Sequence, residues 1–159
     1  MTIKIGEKAP EFTLKNQNKE DIKLADLKGK KVIVSAGPTI EPIDFVRYIT
    51  NHSSGKMGYN IANEAKKRGA NVTLISGPVK PFEIAGINRI EIKTNDQLKD
   101  AIESNFSDAD ALIMAAAPVD YKASEVSDKK IKKSGSNLNM EFIENTDILK
   151  YFGSVKTKQ

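Results

Sequence analysis

KVIVSAGPTIEPIDFVRYITNHSSGKMG occupies residues 31–58 and carries the clearest structural signal in the chain. Val32–Val34 is a short β-branched run, typical of a strand buried inside a parallel sheet. Small residues after it end the strand and open a loop that continues through Asn51. A helix is then predicted from about Ser54 to Arg68, with Gly69 as its stop. Its apolar face is expected to hold Met57, Ile61, Ala62 and Ala65.

Downstream of this unit, strands and helices continue to alternate. Strands are predicted at Val72–Ile75 and Ile90–Ile92. Thr94 with Gln97 predicts a capping box for a helix whose apolar positions are Leu98, Ala101 and Ile102. Ala111–Ala115 is entirely apolar and is predicted to be a central parallel strand. The order β-α-β-β-α-β favours an α/β fold with a three-layer, Rossmann-like, mostly parallel sheet.

Beyond Pro118 the pattern loosens. Residues 120–135 are polar and are predicted to form a mobile flap that carries Lys129, Lys130, Lys132 and Lys133. Residues 138–143 alternate like a strand, and Thr146 with Asp147 opens a last helix. At the other end of the chain, residues 1–31 are predicted to be a β-hairpin arm, with a short turn over residues 24–29. The predicted division is therefore an arm at 1–31 and an α/β domain at 32–159.

Composition excludes several kinds of chemistry. The 159 residues include no cysteine and a single histidine, His52, which excludes disulfides, thiol catalysis and histidine-based metal cages. The net charge of +4 fits the binding of anionic small molecules and equally fits a surface tuned for solubility. The longest apolar run, residues 111–119, is much shorter than the ~18 residues a membrane helix needs. We expect a cytoplasmic protein with neither a membrane nor a nucleic acid as partner.

In open parallel sheets, ligands bind beyond the carboxyl ends of the strands. The loop after the first strand contains Asn51 and His52, followed by Ser53-Ser54-Gly55-Lys56 at the predicted helix start. Free backbone N–H groups there favour a phosphate site, although the same residues can serve only as a helix cap. Neither a Walker loop nor a G-x-G-x-x-G fingerprint is present. Asn51 can donate to a developing oxyanion or be a turn residue, and His52 is expected to hydrogen-bond within the loop.

A second candidate region follows the strand at 111–115. Ala115, Ala116 and Ala117 allow a flat ligand close to the backbone, Asp120 offers an acceptor, and Lys130 with its lysine neighbours can reach a polyphosphate. Each feature also has a purely structural interpretation: tight sheet packing for the alanines, a turn for Asp120 and a solvated surface for the lysines.

Four segments together resemble phosphopantothenoylcysteine synthetase, the ligase domain of the bacterial bifunctional coenzyme A biosynthesis flavoprotein. They are AGPTIEPID (36–44), VRYITNHSSGKMG (46–58), AAAPVDY (115–121) and KIKK (130–133). The resemblance spans roughly residues 30–149. It implies a ligation of 4′-phosphopantothenate to cysteine that uses CTP and Mg²⁺ through an acyl-cytidylate, with a homodimer as the expected assembly.

The resemblance also implies roles for individual residues. Asn51 would hold and polarise the acyl-cytidylate, and Lys130 would reach the triphosphate as a second catalytic residue. Asp120 would hydrogen-bond the nucleotide. The remaining nucleotide and substrate contacts would come from Gly37, Arg47, Ser53, Ser54, Gly55, Lys56, Met114, Ala115, Ala116 and Ala117. No residue of the chain is assigned as a metal ligand.

Two departures from the family limit these expectations. The family continues with a further strand and a Gly-Phe-Ala-type nucleotide loop, whereas this sequence stops at Gln159, so part of the CTP site is expected to be missing. Residues 1–31 instead resemble the opening hairpin of a peroxiredoxin, which predicts a chimeric chain. Two functions therefore remain open: a CTP-dependent ligase impaired by truncation, and a non-catalytic chimeric or fragment protein that keeps a partial nucleotide site.

Overall fold

The computed structural model describes residues 13–15, 21–23, 28–79 and 83–159. In chain order its elements are β1 (Thr13–Lys15), β2 (Asp21–Lys23), β3 (Lys31–Pro38), β4 (Ile40–Pro42), β5 (Tyr48–Thr50), α1 (Lys56–Lys67), β6 (Asn71–Ser76), β7 (Asn88–Glu91), α2 (Asn95–Phe106), β8 (Ala111–Ala117), β9 (Tyr121–Ala123), β10 (Phe142–Glu144) and α3 (Ile148–Val155).

The predicted parallel sheet is confirmed. Its strand order among the described residues is β7-β6-β3-β8, and every neighbouring pair is parallel. Val32 lies beside Val72 on one side and beside Ala111 on the other. Strand β3 is buried over seven of its eight residues because it is covered by a strand on each side and by helices on both faces.

The expectation that the apolar run at 111–115 forms a central strand is wrong. Strand β8 is the edge of the described sheet, and all seven of its residues are only half-buried. Its apolar composition resembles that of a central strand, but only β3 pairs with it among the described residues. The apolar composition of a strand indicates that the strand can be buried. The position of the strand in the sheet depends on which other strands pair with it.

Two apolar clusters fill the space on either side of the sheet. Side chains alternate along β3, so Val32 and Val34 face α1 while Ile33 faces α2 and α3. The α1 side is completed by Tyr59, Ala62, Ala65, Val72 and Leu74. The other side is completed by Ile75, Leu98, Ile102, Phe106, Ile148 and Phe152. This arrangement is the predicted three-layer architecture.

Helix α1 differs from its prediction in two respects. It begins at Lys56 rather than Ser54, because Gly55 adopts a left-handed conformation with φ 70°. Met57 is 64% exposed and does not belong to the apolar face. Gly58 instead contacts the sheet: a Cβ there would lie 2.5 Å from the Ala36 Cβ. That contact orients the helix and turns Met57 to its outer side.

The termini of α2 and α3 follow from capping chemistry. The Thr94 hydroxyl accepts a hydrogen bond from the Gln97 backbone N–H, and the Gln97 side chain accepts one from the Thr94 N–H. This is the predicted capping box. Asp147 caps α3 by accepting from the Lys150 N–H at 2.9 Å, as expected for the last helix.

Among the described residues, three two-stranded antiparallel sheets accompany the main sheet. The predicted N-terminal hairpin is present as β1 and β2. Residues 24–27 of the short turn predicted after it lie outside the described residues. The segment expected to be a plain loop before Asn51 contains the hairpin β4–β5. Strand β10 begins at Phe142, later than the predicted 138, and pairs with β9.

None of the three helices in the described part of the chain is long and apolar enough to span a bilayer.

Candidate functional site at the carboxyl edge of the sheet

The backbones that follow β3 and β6 meet at the carboxyl edge of the sheet. A Cβ on Gly77 would lie 1.8 Å from the Pro38 carbonyl oxygen, so only glycine allows this approach. Gly55 at the start of α1 also lies close to Gly37, since a Cβ there would lie 3.3 Å from the Gly37 nitrogen. The Val79 side chain borders both glycines. Gly37 and the start of α1 therefore form one compact corner, as the sequence predicted for the first loop.

The serines at the helix start bond to their own loop. The Ser53 hydroxyl accepts a hydrogen bond from the Gly55 N–H at 3.3 Å, and the Ser54 hydroxyl accepts one from the Lys56 N–H at 3.5 Å. No side chain caps α1 itself. Both interpretations of this segment, a structural helix start and a phosphate site, are compatible with this geometry. The N–H groups at the helix start can bond to the serine hydroxyls or to an anion.

Asn51 connects the first loop to the loop after β8. Its Nδ2 donates to the Pro118 carbonyl at 2.8 Å and, more weakly, to the Ala117 carbonyl at 3.5 Å. Fully buried Thr39 makes a parallel connection, because its hydroxyl accepts from the Val119 N–H at 2.9 Å. The two loops that the sequence assigned to one site are therefore in direct contact.

A groove of about 640 Å³ lies beside the end of β8. Of the predicted residues, Met114, Ala116 and Asp120 line it. Asn95 and Asn145 also line it, and the amide oxygen of each is buried without a hydrogen-bond partner among the described residues. Buried amide oxygens are normally paired, so a ligand that brings N–H or O–H donors suits this groove.

Strand β8 is held along the side that faces β3. The Ser35 hydroxyl of β3 accepts from the backbone N–H groups of Ala115 and Ala116, each at 3.1 Å, and donates to the Met114 sulfur at 3.5 Å. Ala117 continues the pairing with Pro38. These contacts fix β8 against β3 up to the loop that carries Asp120.

Arg47, which the family resemblance implies is a substrate contact, is paired with Asp44 in the structure. The guanidinium Nε donates to Asp44 Oδ2 at 3.0 Å, and Nη2 donates to the Ile131 carbonyl at 2.8 Å. The Ile131 N–H in turn donates to Asp44 Oδ2 at 3.0 Å. Lys130, next to Ile131, is exposed. The lysine-rich segment is thus attached to the turn between β4 and β5.

Glu41 is a buried carboxylate whose role the sequence did not reveal. It is 3% exposed, and its Oε1 accepts from the Asn95 N–H at the start of α2 at 2.7 Å. Burial raises the pKa of the Glu41 carboxyl, and the hydrogen bond from Asn95 partly opposes that rise. Because Asn95 also donates to the Thr146 carbonyl, the carboxylate helps to organise one wall of the groove.

The predicted residues therefore fall into two groups. Met114, Ala116 and Asp120 share the groove, and Asn51 reaches its rim through Pro118. The helix-start residues, Gly37 and the Arg47–Lys130 region belong to neighbouring parts of the same edge. His52 is exposed, and its ring makes no hydrogen bond with any described residue, contrary to its expected role within the loop.

Sequence reasoning missed the structural roles of Glu41, Asp44, Asn95 and Asn145. Two weak signals were available: Glu41 is an isolated acid between apolar residues, and Asp44 precedes Arg47 by three positions. Neither signal indicates burial, which arises only when distant segments pack over these side chains. For the two asparagines the sequence offers no comparable signal.

The described residues contain no group of three or more acidic or histidine side chains able to hold a metal ion. They do not form a dedicated Mg²⁺ cage. Mg²⁺ is commonly bound largely by substrate phosphates, with one or two carboxylates from the protein.

A parallel sheet flanked by helices, with its candidate site at the carboxyl edge, defines an α/β protein of the small-ligand-binding type. Residues 27–159 match the family model described as the DNA/pantothenate metabolism flavoprotein C-terminal domain. The chain belongs to this family. The family resemblance stated from the four sequence segments is confirmed.

Known relatives agree with this assignment. The coenzyme A biosynthesis bifunctional protein CoaBC of Haemophilus influenzae is 46% identical over 132 residues, which cover 83% of this chain and 33% of that protein. The crystal structure of the C-terminal domain of a CoaBC protein has a TM-score of 0.74 and 36% identity, and the match covers 84% of this chain and 62% of that one. A Cab2 mutant in complex with phosphopantothenate-cysteine shares the fold, with a TM-score of 0.61 and 16% identity. The chain thus spans about a third of the length of the curated relatives it matches.

Proposed function

We propose that this chain carries a phosphopantothenate–cysteine ligase site of coenzyme A biosynthesis that uses CTP. The observation that carries the proposal is the contact between Asn51 and Pro118, which joins two of the four family-resembling segments beside the groove. The CoaBC relatives support the coenzyme A context. The predicted cytoplasmic location, homodimer and division at residue 31 remain predictions.

In the proposed reaction, the carboxylate of 4′-phosphopantothenate attacks the α-phosphorus of CTP, and pyrophosphate leaves. The cysteine amine then attacks the acyl carbon of the acyl-cytidylate, and CMP leaves. Negative charge develops first on phosphate oxygens and then on the acyl oxygen. Preorganised donors and cations that face these oxygens would lower both barriers.

The residues of this chain are suited to stabilise negative charge on the phosphate oxygens and on the acyl oxygen. Lys130 and its lysine neighbours are exposed and can neutralise a triphosphate. The Asn51 amide is oriented by Pro118, and its weaker 3.5 Å contact to Ala117 is easily exchanged for an acyl oxygen. The buried acceptors of Asn95 and Asn145, with Asp120 nearby, suit the amino and hydroxyl donors of a nucleoside.

The experiment supplies CTP, Mg²⁺ and 4′-phosphopantothenate, and measures pyrophosphate by a coupled assay and the acyl-cytidylate by mass spectrometry. Pyrophosphate is expected without cysteine, and CMP only after cysteine is added. Asn51→Asp should lower turnover by about 10²–10³-fold, as does the loss of a preorganised donor to an oxyanion. Lys130→Gln should reduce pyrophosphate release, whereas Lys67→Gln, at the far end of α1, should not.

CTP binding in calorimetry without any pyrophosphate would instead favour the non-catalytic alternative. Asn51→Asp turnover equal to that of the parent would remove Asn51 from the proposed site.

A further inference from the structure

The β4–β5 turn region binds the lysine-rich segment mainly through the backbone of Ile131. The Ile131 N–H donates to Asp44 Oδ2 at 3.0 Å, and the Ile131 carbonyl accepts from Arg47 Nη2 at 2.8 Å. The Ser127 N–H adds a bond to the Ile43 carbonyl at 3.1 Å. Both backbone groups of one residue are thus bound by two side chains that lie more than 80 positions earlier.

The surroundings of Asp44 fix its side chain in this contact. Its carboxylate is fully buried and accepts five hydrogen bonds: from the backbone N–H groups of Val46, Arg47 and Ile131 and from two nitrogens of the Arg47 guanidinium. Arg47 is the main cause that holds the pKa of the Asp44 carboxyl well below its usual range. The side chain is therefore ionised and has no hydrogen-bonding capacity left over for a ligand.

The segment that Asp44 holds carries a high density of positive charge. Lys129, Lys130, Lys132 and Lys133 flank Ile131, and all four are exposed. None of them makes an ion pair within the described part of the chain. Four positive charges in five positions repel one another, so a fixed position for this segment requires an anchor. The backbone N–H and carbonyl of Ile131 provide this anchor by bonding to Asp44 and Arg47.

We propose that Asp44 and Arg47 are positioning residues that clamp Ile131 and so hold the lysine segment ready for a polyphosphate anion. The choice of anion rests on the proposed function, whereas the clamp does not. In this inference Arg47 does not contact the substrate, in contrast to the role that the family resemblance implies. Its planar fork binds a carboxylate and a carbonyl together, a geometry that lysine cannot reproduce.

The first test measures the clamp directly. Trypsin cleaves after lysine, so the rate of cleavage at residues 129–133, followed by mass spectrometry, reports how often the segment detaches. Asp44→Asn and Arg47→Lys should each raise this rate about tenfold, because each loses charge-assisted hydrogen bonds. Asp128→Asn is the matched control: Asp128 is exposed in the same segment, and its side chain makes no hydrogen bond with a described residue. Circular dichroism confirms that each variant is folded.

The second test measures binding of inorganic tripolyphosphate by calorimetry at constant ionic strength. Arg47→Lys preserves the net charge, yet it should weaken binding about tenfold because the competent segment is populated less often. Weakened binding with parental trypsin rates would overturn the inference and make Arg47 a direct ligand contact. Unchanged trypsin rates in both variants would overturn the clamp. If the parent fails to bind tripolyphosphate while the trypsin rates rise as expected, the clamp stands and the polyphosphate part of the proposed function fails.

Discussion

Two carboxylates of the β4–β5 region show how local surroundings set opposite protonation preferences. Asp44 and Glu41 are both buried, at 4% and 3% exposure. Asp44 is paired with a guanidinium, and its pKa is lowered. Glu41 has no cation in direct contact and receives a backbone N–H from Asn95, so burial dominates and its pKa is raised. The difference comes from Arg47, since a charged partner compensates desolvation more fully than a neutral donor does.

The raised pKa of Glu41 predicts a pH-dependent stability. A carboxyl whose pKa is higher in the folded state contributes stability at low pH that is lost as the pH rises through the folded pKa. Glu41→Gln should therefore become more stable relative to the parent as the pH rises from about 4 to about 8. The charged groups that act on Glu41 are Asp96, which raises its pKa, and Lys122, which lowers it.

Urea unfolding at several pH values measures this difference. Glu125→Gln, which makes the same substitution at an exposed position, is the control. A Glu41→Gln difference that does not change with pH, or that turns against the variant as the pH rises, would contradict the raised pKa.

At the scale of an element, α1 and α3 each contain a glycine, and the space around the two glycines differs. Gly58 lies in α1 where a Cβ would meet the Ala36 Cβ at 2.5 Å and the Ser35 carbonyl oxygen at 2.6 Å. Gly153 lies in α3 with nothing within 4 Å of an added Cβ. Intrinsic helix propensity favours alanine at both positions, so only packing against the sheet separates them.

Gly58→Ala should destabilise the fold by about 1–3 kcal/mol, because the extra methyl forces α1 away from β3. Gly153→Ala should be stabilising by up to about 1 kcal/mol, because alanine loses less backbone entropy in a helix. Urea unfolding followed by circular dichroism at 222 nm, a standard wavelength for helix content, compares the two variants. Shifts of the same sign would show that α1 does not pack as closely as the structure has it.

At the scale of the whole molecule, α3 completes the core on the α2 side. Phe152 is 2% exposed, and its ring centroid lies 4.7 Å from that of Phe106 in α2. Ile148 enters the same cluster. The last helix thus covers the face of the sheet that Ile33 and Ile75 leave apolar, and it forms part of the groove wall through Ile148.

Phe152→Ala should lower the free energy of unfolding by about 3–5 kcal/mol, because it removes an aromatic ring from a packed cluster and leaves a cavity. Leu149→Ala on the same helix should change stability by less than about 0.5 kcal/mol, because Leu149 is 61% exposed. Chemical unfolding curves measure both. Equal losses would mean that α3 does not pack through Phe152.

The sequence predicted the elements best where local chemistry is sufficient. The capping box at Thr94 and Gln97 depends on residues three positions apart, and the buried strand at Val32–Val34 depends on an uninterrupted β-branched run. The predicted strand was nevertheless shorter than β3, which continues to Pro38. Small residues such as Gly37 favour a loop by propensity, but pairing with β6 and β8 on both sides keeps them extended.

The candidate site was predicted in its location but not in its contacts. Convergence of Asn51 with the segment 115–121 follows from the parallel topology, because strand ends of a parallel sheet share an edge. The pairing of Arg47 with Asp44 could not be predicted as a clamp, since its third member, Ile131, is distant in sequence and carries no polar side chain. Nearly every residue has a backbone N–H and a carbonyl, so the sequence does not indicate which of them a distant side chain will bind.

What the sequence by itself determined is therefore the alternation of strands and helices, the parallel sheet and the edge at which a ligand would bind, because periodicity and composition are local properties. The tertiary structure alone decided that β8 is the edge of the described sheet, that Met57 faces outward, that Glu41 and Asp44 are buried, and that the lysine segment is anchored. Burial and partnership depend on segments that meet only after folding, and the free energy of a charged group depends on which partners it meets there.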